Sequence, residues 1–403
     1  MLGQYILPFL FFVAVAIQVF YILAFFTRLT SHINFEPNIQ DQPKPSVSII
    51  VAAWNELDNL KELLPLLEAQ DYPNFEIVVA DDRSSDGTYD YLLTNEGGFK
   101  KVIYTRINNL PDHFTAKKYA VTMAIKKSKN EVILLTDADC RPVSNQWLAT
   151  MIAQLTSEKD VVLGFSPYHY DESRLNALIR YETFQTAVQY FSFALAKVPY
   201  MGVGRNLMYR KELFWKKNGF ASHLSLLSGD DDLFINEAET KTNVAICTNP
   251  DTYIYSEPKK TWADWKIQKQ RHLSVGKKYK FRDKFLLGLL WLSHLTCWFF
   301  FVPTFFIKPD WFEAPEWSRI PTDLLDQYHL QDFYLYNDWM RLITGVFFAW
   351  LLLRWIVLAM VNKKLGKTIS SWKIPYHDFL YALYLFVFGL ITTLSKPKKI
   401  KWR

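Results

Sequence analysis

Hydrophobic positions along the chain follow two patterns. Short apolar runs alternate with helically spaced segments between residues 46 and 280, while four long stretches elsewhere carry almost no charge. In the first region VSIIVAAWNE, from Val47 to Glu56, is a continuous β-branched run too short for a helix, and it predicts a strand buried on both faces. Leu57 to Gln70 has helical spacing. FEIVVADDRSSDGT reads as a second strand running into turn residues, and VIYTRI as a third. Ala116 to Lys127 is helical, and EVILLTDAD closes a fourth strand. Strands alternating with helices predict an α/β sheet, whose ligands bind beyond the carboxyl ends of the strands. Two acidic pairs, Asp81 with Asp82 and Asp137 with Asp139, fall at such ends. No G-x-G-x-x-G or Walker sequence is present, which argues against a dinucleotide dehydrogenase and a P-loop enzyme.

The uncharged stretches are Gln4–Phe26, Phe285–Ile307, Leu342–Val361 and the shorter Phe379–Leu394. The first three are long enough to cross a bilayer. The first lacks a basic start and a small-residue cleavage site, so it reads as a retained anchor. Arg354 interrupts the third and must face protein, water or a headgroup. His377 and Asp378 precede the fourth. The domain expectation is an anchor over residues 1–30, an α/β domain over 46–280, and a membrane domain over 281–403 with two or three transmembrane segments. Residues 32–45, polar with three prolines, read as a linker.

Composition supports this division. Half of the chain is apolar and 17% aromatic, yet the mean hydropathy is only −0.04, as when a polar domain is joined to very apolar segments. Residues 259–284 hold ten Lys or Arg against two Asp, whereas 308–340 hold seven acids against two bases. Positive charge favours the cytoplasmic side. The α/β domain is therefore expected in the cytosol and residues 308–340 outside. The basic tail KPKKIKWR conflicts with a fourth full span; a fourth segment that enters and returns would remove the conflict. Cys140, Cys247 and Cys297 are too widely spaced for a zinc site or a disulfide framework.

Several motifs carry candidate chemistry. Asp137-Ala138-Asp139 suits a hard cation, because Mg²⁺ and Mn²⁺ take oxygen ligands from one or two carboxylates plus a substrate phosphate. GVGRNLMYRKELF offers glycines for close backbone approach. SGDDDLFINEA places Asp230, Asp231 and Asp232 at the start of a predicted helix, where capping would be one use for them. WKIQKQRHLSVGKKY mixes aromatics, amides and cations just before a membrane segment, as a stripe on anionic headgroups would.

Taken in order, VSIIVAAWNE, VVADDRSSDGT, the AKKYA lysine stretch, TDAD, and GDDD followed by QKQRH resemble the membrane-integrated glycosyltransferases of family 2, the group of cellulose synthase, hyaluronan synthase and ceramide glucosyltransferase. The resemblance covers roughly residues 46–280. It implies a GT-A fold, the Rossmann-like fold of nucleotide-diphospho-sugar transferases, with a nucleotide-sugar donor and Mg²⁺ or Mn²⁺ as cofactor. By the same resemblance Ala52, Trp54 and Glu56 form the first nucleotide-contacting loop, and Asp82 accepts a hydrogen bond from a uracil ring. Lys117 approaches the donor diphosphate. Asp137 and Asp139 hold the metal, with Asp139 the direct ligand. Gln268 and Arg271 match the Q-x-x-R part of a Q-x-x-R-W signature in which His272 replaces tryptophan. Among the three consecutive aspartates, Asp231 is the expected base, with Asp230 and Asp232 its neighbours and Asp230 the alternative.

The function these implications describe is an inverting transfer from a nucleotide-sugar, a UDP-sugar by resemblance, to a lipid or lipid-linked acceptor. It would take place at the cytoplasmic face of a bacterial-type cell membrane, with no nucleic acid involved. A processive polysaccharide synthase and a non-catalytic nucleotide-binding membrane subunit are the alternatives. His272 and the small number of membrane segments argue against the first; the full acidic set argues against the second.

Overall fold

The computed structural model describes residues 2–34, 45–238, 243–309, 312 and 331–394. Most of the linker, of the acidic connection and all of the basic tail lie outside the described residues. At the centre is a seven-stranded sheet of order β3-β2-β1-β4-β7-β6-β8. It comprises β1 (Val47–Ala53), β2 (Phe75–Asp82), β3 (Val102–Ile107), β4 (Val132–Asp137), β6 (Val161–Leu163), β7 (Leu207–Arg210) and β8 (Val244–Ile246). The first four strands are parallel, as the alternating pattern predicted. Beyond them β7 runs antiparallel to both β4 and β6, so the whole sheet is mixed. A two-stranded ribbon pairs β5 (Cys140–Pro142) with β9 (Ile254–Ser256).

Successive residues of a strand point to opposite faces, and here both faces are covered. Ile49, Val51, Ile77, Val79 and Leu134 pack under α3 (Leu57–Glu68) and α6 (Trp147–Ala153). Ile50, Val78, Ile133 and Leu135 pack under α5 (Ala116–Lys127), in a core that continues into the apolar helices. Burial on both sides is why these strands read as unbroken apolar runs. α7 (Arg174–Leu195) belongs to the same continuous core, and Phe193 meets the rings of Tyr21 and Phe25 from the N-terminal helix.

Among the described residues, four helices are long and apolar enough to cross a membrane: Ile6–Ser31, Phe281–Phe306, Asn337–Lys364 and Ser371–Ile391. The first runs through most of α1 (Leu2–Tyr21), a π-helical turn over Ile22–Phe26 and α2 (Thr27–Ser31). The others coincide with α11 (Phe281–Phe306) and with most of α12 (Gln331–Lys364) and α13 (Ile374–Leu394). The expectation of a fourth segment that enters and returns is corrected in form, because α13 is one unbroken helix. Pro375 does not break it: it lies in the first turn, where its missing N–H has no intrahelical partner to lose.

Arg354 faces protein. Its guanidinium donates from Nε to Asp378 Oδ2 at 2.9 Å and from Nη2 to Asp378 Oδ1 at 2.9 Å, a two-pronged pair buried on both sides. Tyr181 donates to the same carboxylate at 2.9 Å and Trp298 at 3.3 Å, while Gln18 accepts from Arg354 at 3.4 Å. One ion pair thus joins α1, α7, α11, α12 and α13. A buried pair is costly to break from one side, because the remaining charge has no partner. Arg354→Met should therefore destabilise the protein by about 3–5 kcal/mol. Arg354→Met combined with Asp378→Leu should recover much of that loss in thermal unfolding of the detergent-solubilised protein. Equal melting temperatures for the wild type and Arg354→Met would contradict this role.

Candidate active site

Strand register brings the acidic pairs to one rim. Ala52 lies opposite Asp137, and Ala53 opposite Asp81, so the ends of β1, β2 and β4 stand side by side. Loop chemistry then shapes the rim. Asn55 adopts a left-handed conformation, φ 55°, and its side chain accepts from Ser85 N at 2.8 Å. Asp86 accepts from Leu57 N and Thr88 N, both at 3.0 Å, and Thr88 Oγ1 accepts from Glu56 N at 3.1 Å. The SSDGT turn is thereby laced to the loop holding Trp54 and Glu56, and it satisfies the first amides of α3. Burial raises the Glu56 carboxyl above its ordinary range, and the charges of Asp139, Asp137 and Asp86 add to that. Glu56 therefore belongs to the same electrostatic neighbourhood as the D-x-D pair.

Lys117 ties this rim to a distant part of the chain. Its Nζ lies 2.9 Å from Asp137 Oδ1 and 3.2 Å from Asp230 Oδ2. Burial opposes the ammonium charge, but Asp137, Asp230 and Asp231 outweigh it and hold Lys117 above its usual range. Burial likewise works against ionised Asp230, but Lys117 prevails and keeps it below the carboxylate range.

The three consecutive aspartates have different environments. Asp231 accepts from Gly204 N at 2.7 Å and from Asp232 N at 2.8 Å, and its pKa is raised by burial and then by Asp230. A Cβ at position 204 would lie 3.2 Å from Asp231 Cβ, so the glycine is what lets the backbone amide reach the carboxylate. Asp232 is buried at the start of α9 (Asp232–Ala238) and accepts from Leu233 N and from the Tyr279 hydroxyl, at 2.8 and 2.9 Å. Of the three, Asp230 is paired with a cation, Asp232 is enclosed and burial pushes its carboxyl well above the ordinary range, and Asp231 is half-buried with a carboxyl that is also raised.

At the other acidic pair both side chains are buried. Asp82 is occupied by Arg83, whose Nε donates at 2.8 Å. Neither oxygen of Asp81 meets a donor in hydrogen-bonding geometry among the described residues; burial raises this carboxyl, and Ser84 offsets the rise only in part. A buried carboxylate without a partner is costly, so Asp81 is the member of the pair with unused bonding capacity.

Gln268 and Arg271 lie three positions apart on α10 (Trp262–Val275), on one helical face. His272 keeps exposed surface but is crowded by protein; that enclosure, and then the charges of Lys269, Arg271, Arg205 and Lys117, hold its imidazole well below its ordinary range. The influence of those charges places α10 beside the cleft that contains Lys117.

Two residues not assigned a role from sequence belong to this site. Arg205 stacks 4.4 Å over the Tyr168 ring, and Asp139 and Asp137 act on its charge; its Nη1 is buried without a hydrogen-bond partner among the described residues. It was visible in GVGRNLMYR, where only the glycines drew notice. Lys118 is buried, and its Nζ donates to the carbonyls of His223, Leu226 and Ser228 at 2.7, 2.8 and 2.8 Å. Neighbouring helical positions point about 100° apart. Accordingly Lys117 enters the cleft while Lys118 grips the loop leading into Asp230.

The residues fit a divalent cation of the Mg²⁺ or Mn²⁺ kind. Burial raises Asp139, and the like charge of Asp137 adds to it, an excess of negative charge that a cation would relieve. Among the described residues no group of three or more His, Cys, Asp or Glu has metal-holding geometry. A site of one or two carboxylates completed by substrate phosphate is the sparse arrangement these hard cations accept.

A parallel half-sheet with its acidic rim, extended through the antiparallel β7 to the parallel pair β6 and β8, defines a GT-A-like fold. Residues 48–217 match the model of Glycosyl transferase family 2, so this stretch is a family 2 glycosyltransferase domain. The whole structure is similar to the mannosyltransferase PcManGT from Pyrobaculum calidifontis, solved in complex with GDP-Man and Mn²⁺: TM-score 0.50 at 16% identity, covering 98% of this chain and 93% of that one. By sequence the chain is 26% identical over 191 residues to glycosyltransferase AglE of Haloferax volcanii, covering 46% of this chain and 59% of that protein. It is 28% identical over 131 residues to UDP-Glc:alpha-D-GlcNAc-diphosphoundecaprenol beta-1,3-glucosyltransferase WfaP of Escherichia coli, covering 31% of this chain and 47% of that protein. The chain spans about half the length of these curated relatives.

Lys118 supplies a test of the site's construction. Burial brings its ammonium down to about 8, against the pull of Asp230, Asp232, Asp231 and Glu237. A neutral amine has two protons for three carbonyls, so the loop should loosen as pH rises through about 8. Turnover should fall across that window in the wild type. Lys118→Met should be slow at every pH and lack this limb, while still binding nucleotide. A wild-type rate unchanged from pH 7 to 9 would remove the lysine from this role.

Proposed function

We propose that this protein transfers a sugar from a nucleoside-diphosphate donor to a lipid or lipid-linked acceptor at the membrane, with inversion at the anomeric carbon. The observation that carries this reading is the Lys117 bridge. One cation contacts Asp137 of the D-x-D pair and Asp230 of the aspartate run, so the parts suited to holding a diphosphate and to taking up a proton share one cleft. The names of similar proteins support the reading: WfaP takes UDP-Glc and a diphosphoundecaprenol-linked sugar. The apolar helices adjoining the domain suit an acceptor of that kind.

In this mechanism the donor base occupies the ends of β1 and β2, against Ala52, Trp54 and the acidic pair, with Asp82 the expected contact and Asp81 the carboxylate still open to one. The diphosphate lies toward Lys117, with Arg205, Gln268 and Arg271 on the opposite wall. A bound Mg²⁺ or Mn²⁺ at Asp139 and Asp137 supplies neutralisation of the charge that develops on the departing phosphate oxygens. Asp231 accepts the proton of the attacking acceptor hydroxyl, a contribution typically of 10²–10⁴-fold. Attack from the side opposite the leaving group inverts the anomeric centre in a single displacement. Asp230 and Lys117 hold the base in place, and Asp232 anchors its loop through Tyr279. With His272 in place of the signature tryptophan, transfer of one or a few sugars is the expected outcome, not a long polymer. The Lys/Arg asymmetry favours a cytosolic domain in a bacterial-type cell membrane.

A donor screen on purified membranes, with mass spectrometry of the labelled lipid, tests the whole reading. Mono- or oligoglycosylated lipid is expected; long polymer would support the processive alternative, and nucleotide binding without any transfer would support a non-catalytic subunit. Within the site, Asp231→Asn should retain donor binding and lose transfer by at least 10²-fold, while Asp139→Asn should lose divalent-dependent donor binding. Should Asp230→Asn be inactive and Asp231→Asn turn over normally, the base is Asp230.

A further inference from the structure

The last helix passes the catalytic domain in an unexpected direction. The rings of His377 and Tyr181 are 5.5 Å apart, and Gln189 Nε2 donates to Tyr381 at 3.3 Å, both contacts with α7. Further along, Trp265 of α10 lies 5.3 Å from Tyr384 and 5.2 Å from Phe388. From His377 to Phe388, about 16 Å of helix rise, α13 thus keeps touching helices of the catalytic domain. A helix leaving that domain along the membrane normal would part from it within a turn or two.

Contacts with α11 agree. His294, Trp298 and Phe299 meet Tyr381, Phe379 and Phe386 respectively. Adjacent residues on α11 reach positions seven apart on α13, so the two helices cross and do not run side by side. α12 also extends past the apolar zone to the domain, where Gly366 approaches the Tyr253 ring. The Arg354–Asp378 pair therefore lies near the domain side.

The face of α13 turned away from the protein is apolar: Tyr376, Phe379, Phe386, Val387 and Leu390 are exposed. Trp372, 72% exposed, and Lys373 stand just before it, a pairing suited to the headgroup level. Phe281, 80% exposed at the start of α11, and Trp262, exposed at the start of α10, are further large apolar side chains open to a membrane. We propose that α13 does not cross the bilayer but lies in its interfacial plane beneath the catalytic domain. Its apolar face enters the acyl chains of the near leaflet, and both its ends are on the domain's side. α13 is apolar on both faces, one packed on the protein through Tyr381, Ala382, Tyr384 and Phe388 and the other free for lipid, so it would bind the interface through buried apolar area. The placement puts the tail KPKKIKWR on the same side as Lys363, Lys364, Lys367 and Lys373, as the charge asymmetry requires.

The inference does not depend on the reaction catalysed, and sidedness tests it directly. All three native cysteines are buried, so the unaltered protein is a low background for an impermeant maleimide. Glu96→Cys on the exposed domain surface and Lys399→Cys in the tail should react from the same side of sealed vesicles. Reaction from opposite sides overturns the proposal. Spin labels at Phe379→Cys and Leu390→Cys, three turns apart on one face, should report nearly equal depths in the bilayer. A depth difference approaching 16 Å, the rise over eleven residues, would also overturn it, whichever side the tail occupies.

Discussion

A cluster of carboxylates cannot be gathered in a half-buried cleft without cations to balance it, and that constraint organises this protein. Glu56 and Asp139 feel the charge of Asp137, Asp231 feels that of Asp230, and Lys117 feels Asp137, Asp230 and Asp231 together. Lys117 is the fixed counter-charge that stands between their two halves. Removing charged groups from water is expensive unless partners replace the lost solvation. The sheet supplies the rim, α5 delivers the lysine, and backbone amides at Gly204 and Asp232 take up the remaining lone pairs. What these partners leave in excess is negative charge at Asp139 and Asp137, which a divalent cation would relieve.

Much of this was legible in the sequence, and for physical reasons. Strands buried on both faces must be continuously apolar, so β1, β2 and β4 announced themselves, and the acids that ended them marked the rim. β6, β7 and β8 were harder: each is only three or four residues, too short for any periodicity, and their pairing, antiparallel at β7 and parallel between β6 and β8, is set by contacts across the fold. Arg354 could be read as needing a partner, but nothing local named Asp378, 24 positions away on another helix.

Adjacent lysines show the limit most clearly. Lys117 and Lys118 are chemically identical and neighbours, yet one faces the cleft and the other three carbonyls of a loop more than a hundred residues away. Only helical phase distinguishes them, and phase matters once the surrounding elements are in place. Asp81 and Asp82 repeat the lesson on a strand, where alternation sends two equal side chains to unequal partners.

α12 has a mechanical side. Its 34 residues make an unbroken rod of about 50 Å, well beyond the roughly 30 Å of a hydrocarbon core. Its end runs into Gly366, where a Cβ would lie 2.9 Å from the ring of Tyr253. Tyr253 directly precedes β9, and β9 pairs with β5, the strand that begins at Cys140 immediately after Asp139. Helices respond to a thicker or thinner bilayer by changing tilt. A change of tilt in this helix would be met at Gly366 and Tyr253, the first of the contacts that lead to the strand following Asp139.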